Sequence, residues 1–254
     1  MNANLSRMNQ ALQNRTFVKV IAGIENFDAS NVQDIVKAAK AAGAHAVDIA
    51  ADADLIRMAK QHSDLTIFVS STEPAKLIEA ARAGADVLEL GNFDAMYRRG
   101  EEPTAEQILN WTREIKAAVG DSLPLCVTIS GRLALDVQLD LATSLQAAGA
   151  DLIQSEGLML GKGQDDTHSA LMAITSALAN AAEIRKVVEL PIFVAGGINP
   201  ANASFAVGAG ANGVGIGRAV SLCQTASEME AVVAETVKAL KAVRTEGRGL
   251  AALA

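Results

Sequence analysis

Cysteine is scarce in this chain: two among 254 residues, Cys126 and Cys223, in no CxxC and at no metal-ligand spacing. That excludes a disulfide framework and a zinc ribbon, and points to a reducing cytosolic or stromal compartment. Positive charge is in deficit as well, with 22 Lys and Arg against 29 Asp and Glu and a formal charge of −7. The basic patch that a phosphate backbone demands is missing, so no nucleic acid is expected as partner. No run of about 18 uninterrupted apolar residues occurs, which argues against a membrane span. Residues 1–15 hold Arg7 and Arg15 but no apolar stretch of the kind that carries export. Nucleophile-elbow, HExxH and Walker signatures are all lacking, so acyl transfer, zinc proteolysis and nucleotide hydrolysis lose their usual support, and no metal site is expected.

What the chain does have is apolar surface. Half its residues are hydrophobic and the mean hydropathy is +0.22, enough burial to offset chain entropy and to rule out disorder. The length suits one large α/β domain over residues 1–254, with no linker or change in composition along it.

The strongest pattern is a phrase that returns four times. Ala42-Gly43-Ala44-His45 precedes Ala46–Ala50, Ala83-Gly84-Ala85-Asp86 precedes Val87–Gly91, Ala148-Gly149-Ala150-Asp151 precedes Leu152–Glu156, and Ala209-Gly210-Ala211-Asn212 precedes Gly213–Gly217. Glycine there suits the left-handed residue that ends a helix, and a short apolar strand follows at once. Four more apolar runs lie between the echoes, at Phe17–Ala22, Thr66–Ser70, Leu125–Ser130 and Pro191–Ala195, and most runs lead into helical periodicity. Eight strands alternating with eight helices predict a (β/α)8 TIM barrel, ahead of an open doubly wound sheet. Leu5, Met8 and Leu12 predict a short helix within residues 1–15 that covers the barrel bottom.

Alternation along the strands predicts which side chains enter the barrel. Branched apolar residues such as Val18, Val20, Leu88, Leu90, Val127 and Ile129 face helices, which turns Lys19, Asp48, Ser70, Glu89, Thr128, Ser130, Gln154 and Glu156 inward. A charged interior persists only where charges pair or water enters. Lys19 and Asp48, on adjacent strands, are expected to pair, with Glu89 and Glu156 adding negative charge farther round. The set Lys19, Asp48, Glu89 and Glu156 is the candidate catalytic group, and Ser70, Asn92, Thr128 and Gln154 line the candidate pocket. A bland alternative makes the Lys19–Asp48 pair purely structural.

Glycine pairs close the last two strands, at Gly196-Gly197 and at Gly215-Ile216-Gly217-Arg218. Barrels commonly bind phosphate with the loops after strands seven and eight, so Gly196, Gly197, Gly217 and Arg218 are expected to cradle the phosphate of a small ligand. The G-x-G-x-x-G of Gly208–Gly213 is a decoy, because it ends a helix rather than opening one. Asn92–Thr104, with Tyr97, Arg98 and Arg99, and Gly157–Ser169, with Lys162, Asp165, Asp166 and His168, are long enough for lids. His45 and His62 fall far from the expected site, and Cys126 is expected to fill the barrel as a small hydrophobe.

Lys19–Asp28, Val47-Asp48-Ile49-Ala50-Ala51-Asp52, Glu89-Leu90-Gly91-Asn92-Phe93-Asp94 with Tyr97, Val127-Thr128 and Gln154-Ser155-Glu156-Gly157 resemble the hypothetical chloroplast reading frame 23 family of cyanobacteria and algal plastids. The resemblance covers nearly the whole chain. It implies a photosynthetic lineage and a phosphate-binding barrel; where the family pattern leads one to expect Pro-His after the fifth strand, this chain has Ser130-Gly131-Arg132.

Three readings of function follow. The first is an enzyme on a small phosphorylated metabolite, of lyase or aldolase type if Lys19 forms an imine, or of isomerase type if Lys19 is a fixed cation beside an enolate. The alternative is an FMN-binding oxidoreductase, because the phrase Gly215–Ala219 also resembles that of flavin barrels, with Lys19 beside the ring. The third is a non-catalytic phosphometabolite sensor, for which residues 229–240 offer only an ordinary one-sided stripe. Homo-oligomerisation is left open.

Overall fold

The computed structural model describes residues 3–158 and 167–251. Strands β1 Phe17–Gly23, β2 Ala46–Ala50, β3 Thr66–Ser71, β4 Val87–Leu90, β5 Leu125–Ile129, β6 Leu152–Ser155, β7 Ile192–Val194 and β8 Gly213–Ile216 run parallel and close into a barrel in sequence order. Helices α2 Ala29–Ala41, α3 Ala53–His62, α4 Pro74–Ala83, α6 Ala105–Val119, α7 Leu135–Ala147, α8 Thr167–Ile184, α9 Ala203–Gly208 and α11 Ala226–Ala251 follow the strands in turn. Three further helices sit outside that alternation: α1 Ala3–Gln13 before the barrel, α5 Asp94–Arg98 in the loop after β4, and α10 Arg218–Ser221 after β8.

The alternation read from the strands holds. Val18, Val20, Leu88, Leu90, Val127 and Ile129 pack with the helices in one large apolar core. The intervening side chains enter the barrel, where a separate layer of Phe17, Phe68, Val87, Cys126, Leu152 and Phe193 lies at the end where the strands begin. Helix α1 closes that end with Met8, Ala11 and Leu12, as its apolar spacing predicts. Phe17, Phe68 and Phe193 meet with ring centroids 5.6–6.2 Å apart, tilted or edge-on, the arrangement that ring quadrupoles favour.

The fourfold phrase has a physical cause. Its glycines, Gly43, Gly84, Gly149 and Gly210, all take left-handed φ values of 75–98° at helix ends. Its fourth residue makes a reciprocal pair of bonds to the strand before it. The side chains of His45, Asp86, Asp151 and Asn212 accept the backbone N–H of Val18, Ile67, Leu125 and Ile192 at 2.8–3.1 Å. Their own N–H groups donate to the carbonyls of the same four residues. Each echo therefore satisfies the backbone N–H and carbonyl of the first or second residue of an odd-numbered strand, at the barrel bottom. His45 is held as a neutral acceptor, and burial first, then Lys241 and Arg7, lowers it to about pKa 4. The decoy behaves as read: Gly208 ends α9 and Gly213 opens β8.

Two aspartates of the family-like phrases turn out to be caps. Asp28 accepts the N–H groups of Ser30 and Asn31 at the start of α2, and Asp52 those of Asp54 and Leu55 at the start of α3.

Candidate active site

Above the aromatic layer the barrel interior becomes polar. Lys19 on β1 is fully buried, with Glu89 of β4 as its nearest carboxylate and Asp48 of β2 at 3.6 Å. The expected neighbour pair of Lys19 and Asp48 forms, and the long lysine also reaches across the barrel to Glu89, which is the closer of its two carboxylates. The Lys19 Nζ also stands 4.7 and 5.0 Å from the ring centroids of Phe193 and Phe68, so the top of the aromatic layer is the floor of the charged one.

Burial alone would strip Lys19 of its proton, but the attraction of Glu89 and Asp48 outweighs it, and the lysine pKa lies above its ordinary value. Glu89 moves up too, because burial and the Asp48 charge together exceed the pull of Lys19. One cation and two carboxylates leave the group one negative charge in excess, so it has a use for a further proton. The Cys126 thiol lies in the barrel near Glu89 and stays protonated, its pKa raised well above the ordinary value by burial and then by the Glu89 charge. It fills the barrel in the way a small hydrophobe does.

Asp48 is tied down from above. Ser70 donates to its Oδ1, and the Asn92 amide donates to its Oδ2 at 3.2 Å and to the Ser70 hydroxyl at 3.1 Å. Gln154 of β6 donates to Asn92 Oδ1 and Thr128 Oγ1, each at 3.1 Å. Ser70, Asn92, Thr128 and Gln154 are thus one hydrogen-bonded run round the barrel with Asp48; alternation turns Ser70, Thr128 and Gln154 inward, and Asn92 joins them from beyond the end of β4. Asn92 holds the run together from a left-handed backbone with φ 60°, a conformation asparagine tolerates and most residues resist. Gln154 Oε1 is buried and has no partner among the described residues, an orphan acceptor in the middle of the polar layer.

Glu156 does not join the lysine. It lies past the end of β6, where Tyr97 donates to its Oε2 at 3.1 Å and also meets Ser130 Oγ at 2.5 Å. The Arg132 guanidinium stacks 4.1 Å above the Tyr97 ring. Burial, then the nearby Asp94, pushes Glu156 up to about 8 against the opposing influence of Tyr97, the Gly131 N–H and Arg132. The four expected catalytic residues therefore form two sites: Lys19 with Asp48 and Glu89 in the barrel centre, and Glu156 by itself at the mouth. Sequence alternation turns Ser130 inward and places Tyr97 on a long loop, but nothing in the sequence joins either to Glu156.

The glycines occupy the ends of β7 and β8, which are neighbours in the barrel. Gly196 and Gly197 have φ of 93° and 81°, so glycine is demanded there by the turn itself. Gly217 differs. Its φ is −121°, and an added Cβ would make only ordinary contact, 3.4 Å from Ile21 Cβ. Folding does not require a glycine at 217. Arg218 is exposed and begins the short α10. Of the second expected lid, His168 is exposed, while Lys162, Asp165 and Asp166 lie outside the described residues. Among the described residues no cluster of side chains suits a metal ion, and no helix is long and apolar enough to cross a membrane.

The solved structures that resemble this one are barrels of low sequence identity. Thiamine phosphate pyrophosphorylase from Pyrococcus furiosus superposes with a TM-score of 0.59 at 19% identity, over 91% of this chain and 98% of that one. A 3-hexulose-6-phosphate synthase gives 0.63 at 16%, covering 88% and 99%. The (S)-3-O-geranylgeranylglyceryl phosphate synthase of Thermoplasma acidophilum, solved with sn-glycerol-1-phosphate, gives 0.63 at 14%, covering 95% and 99%. These likenesses establish the barrel fold. In sequence, the uncharacterized protein ycf23 of Antithamnion sp. is 33% identical over 248 residues, 93% of this chain and 89% of its own length. That of Cyanophora paradoxa is 32% identical over 225 residues, 88% and 92%. The family model described as protein of unknown function DUF561 matches residues 1–246, and the chain belongs to that family, together with the ycf23 proteins of algae.

Proposed function

We propose that this barrel is an enzyme that holds a small phosphorylated carbonyl compound by its phosphate and moves a proton at the carbon beside the carbonyl. The observation that carries the reading is the connected polar layer in the barrel centre, in which a buried lysine kept protonated by two carboxylates stands below an orphan acceptor, Gln154 Oε1. An ammonium has three donors, and two carboxylates leave one for a developing enolate oxygen. Glu89, whose proton affinity burial raises, is suited to take the carbon proton. Glu156, held near pKa 8, is suited to return one to the neighbouring carbon or oxygen. Where that carbon bears a hydroxyl, protonation of the carbonyl oxygen gives an enediol, and loss of the hydroxyl proton with return of a proton to the former carbonyl carbon completes an isomerisation that needs no second reactant. Gln154 Oε1 would accept from a substrate hydroxyl.

The phosphate assignment rests on Gly196, Gly197, Gly217 and Arg218 at the ends of β7 and β8, the place where barrels commonly hold phosphate. The glycine at 217, which folding does not demand, is what a close oxyanion would require. The structurally similar synthases and pyrophosphorylase are named for phosphorylated compounds, which supports the same ligand class. An imine on Lys19 has less support, since the free amine it needs is opposed by both carboxylates. FMN gains none: Lys19, the residue that would face the ring, is enclosed by Glu89, Asp48 and two phenyl rings. The sensor reading gains none from α11, whose Met229, Val233, Val237 and Leu240 are buried in the core.

A thermal-shift screen of sugar phosphates, keto-acid phosphates and FMN against wild type and Gly217→Val tests the reading. A phosphorylated carbonyl compound should stabilise wild type and leave the variant unshifted; equal stabilisation of both would place the anion elsewhere. Borohydride with an active substrate should give no adduct on Lys19.

A further inference from the structure

The stretch from Asn92 to Thr104 crosses the barrel mouth. It leaves β4, yet its residues touch the ends or loops of β1, β2, β3, β5 and β6. Asn92 bonds Asp48, Ser70 and Gln154. Tyr97 bonds Ser130 and Glu156. Arg98 and Arg99 reach Glu25, in the loop after β1, at 2.8 and 3.0 Å, and Arg132 from the loop after β5 pairs with Glu102. Phe93, Ala95 and Tyr97 are buried by the crossing, and Lys19, Asp48, Glu89 and Gln154 beneath it are at most 1% exposed. A ligand entering the polar layer past Asn92 and Tyr97 requires this stretch to move.

We propose that residues 92–104 form a gate and that Tyr97 is a positioning residue: on closure its ring encloses Glu156 and excludes water from it, and its hydroxyl orients the Glu156 carboxyl group. The proposal rests on Glu156 as the proton donor. Its test uses neither substrate nor turnover, so its failure and the failure of the phosphometabolite reading are separate events.

Among the described residues, the groups facing Glu156 come from the gate, the turn after β5 and α8. Tyr97 and Asp94 come from the gate, and Arg132 and the Gly131 N–H from the turn after β5. Asn180 of α8 donates to the Glu156 backbone carbonyl at 3.4 Å. Burial and Asp94 favour the neutral acid, and the closed gate supplies both, since Asp94 opens α5 and the Tyr97 ring excludes water. With the gate open, Glu156 is hydrated and returns towards the ordinary carboxyl range. The closed state therefore binds the extra proton, and closure is full in acid and weakens as pH rises towards about 8.

Tyr97 is the one tyrosine in the sequence, so 13Cζ-tyrosine labelling gives a single resonance that reports the phenol. In the wild-type protein that resonance should show one step with a midpoint near pH 8 as Glu156 ionises, and Glu156→Gln should abolish it. No step, a step in the ordinary carboxyl range, or a step that survives in Glu156→Gln would overturn the proposal. The double variant Arg98→Ala, Arg99→Ala unfastens the gate from Glu25 without touching Tyr97 or Glu156. Loss of two cations by itself would raise a nearby carboxyl pKa, whereas an opened gate lowers it. A midpoint at least half a pH unit lower supports the gate; an unchanged or higher one contradicts it. Tyr97→Phe keeps the ring but removes a donor to the carboxylate, so the Glu156 carboxyl resonance, identified by its loss in Glu156→Gln, should titrate at higher pH. An unmoved Glu156 midpoint would reduce Tyr97 to a space filler.

Discussion

The two ends of this barrel are built from the same strands by opposite rules. At the bottom the fourfold phrase is honoured: His45, Asp86, Asp151 and Asn212 do the same work, and an aromatic layer sealed by α1 fills the interior. Three residues further along, the corresponding inward positions after each echo hold Asp48, Glu89, Gln154 and Gly215, no two alike. Repetition marks what the fold needs, and its breakdown marks where a ligand of no fourfold symmetry would bind.

Substitution at the upper layer should have the largest effect. Lys19→Met leaves Glu89 and Asp48 buried without their cation, a loss of about 3–5 kcal/mol, seen as a lower denaturant midpoint. Adding Glu89→Gln and Asp48→Asn should recover most of that stability and none of the turnover. A bottom-layer cavity such as Phe68→Ala costs about as much, roughly 3–5 kcal/mol, and has no such charge-neutralising rescue. Failure of the triple variant to recover would mean that the upper layer is a structural device like the lower one.

The next effect belongs to the bottom end. His45 is held neutral at about pKa 4 against an ordinary 6.5, so the native state takes its proton less readily than the unfolded chain. The stability it contributes is complete above about pH 6.5 and is lost as pH falls towards 4, by about 3 kcal/mol at most. His45→Asn, which borrows the residue of the fourth echo, should keep the bond to Val18 and flatten that part of the pH profile between pH 4 and 6.5. An unchanged profile would mean that the acid sensitivity comes from elsewhere. Asp151→Ala removes the acceptor for the Leu125 N–H and should cost about 1–3 kcal/mol, with no effect on ligand affinity. The smallest stability change is expected for Gly217→Ala, under about 1 kcal/mol by chemical denaturation because an added Cβ makes only ordinary contacts, with binding of phosphorylated ligands weakened.

Much of the barrel was legible because its period is short. The echoes fix where helices end and strands begin, and alternation then assigns the inward face of each strand, which is how Lys19, Asp48, Ser70, Glu89, Thr128 and Gln154 could be read as neighbours. Which of them touch depends on strand stagger and side-chain reach. A lysine long enough to pass its neighbour and meet Glu89 across the barrel leaves no trace in the order of residues. The separation of Glu156 from the lysine was hidden for a related reason. It lies past the end of β6, beyond the alternation, and its environment comes from Tyr97 on a loop 59 residues away. Loop contacts of that kind have no period to read.

Deuterium exchange from D2O is the most direct test of the upper layer as a proton-transfer site. Wild type and Lys19→Met are incubated with each phosphorylated carbonyl compound that binds both, and the hydrogens beside the carbonyl are followed by proton NMR. Wild type should wash deuterium into that position of at least one compound, and Lys19→Met should do so about 10²–10⁴ times more slowly while still binding it. Tight binding with no exchange by wild type, or equal exchange by both proteins, would contradict the account.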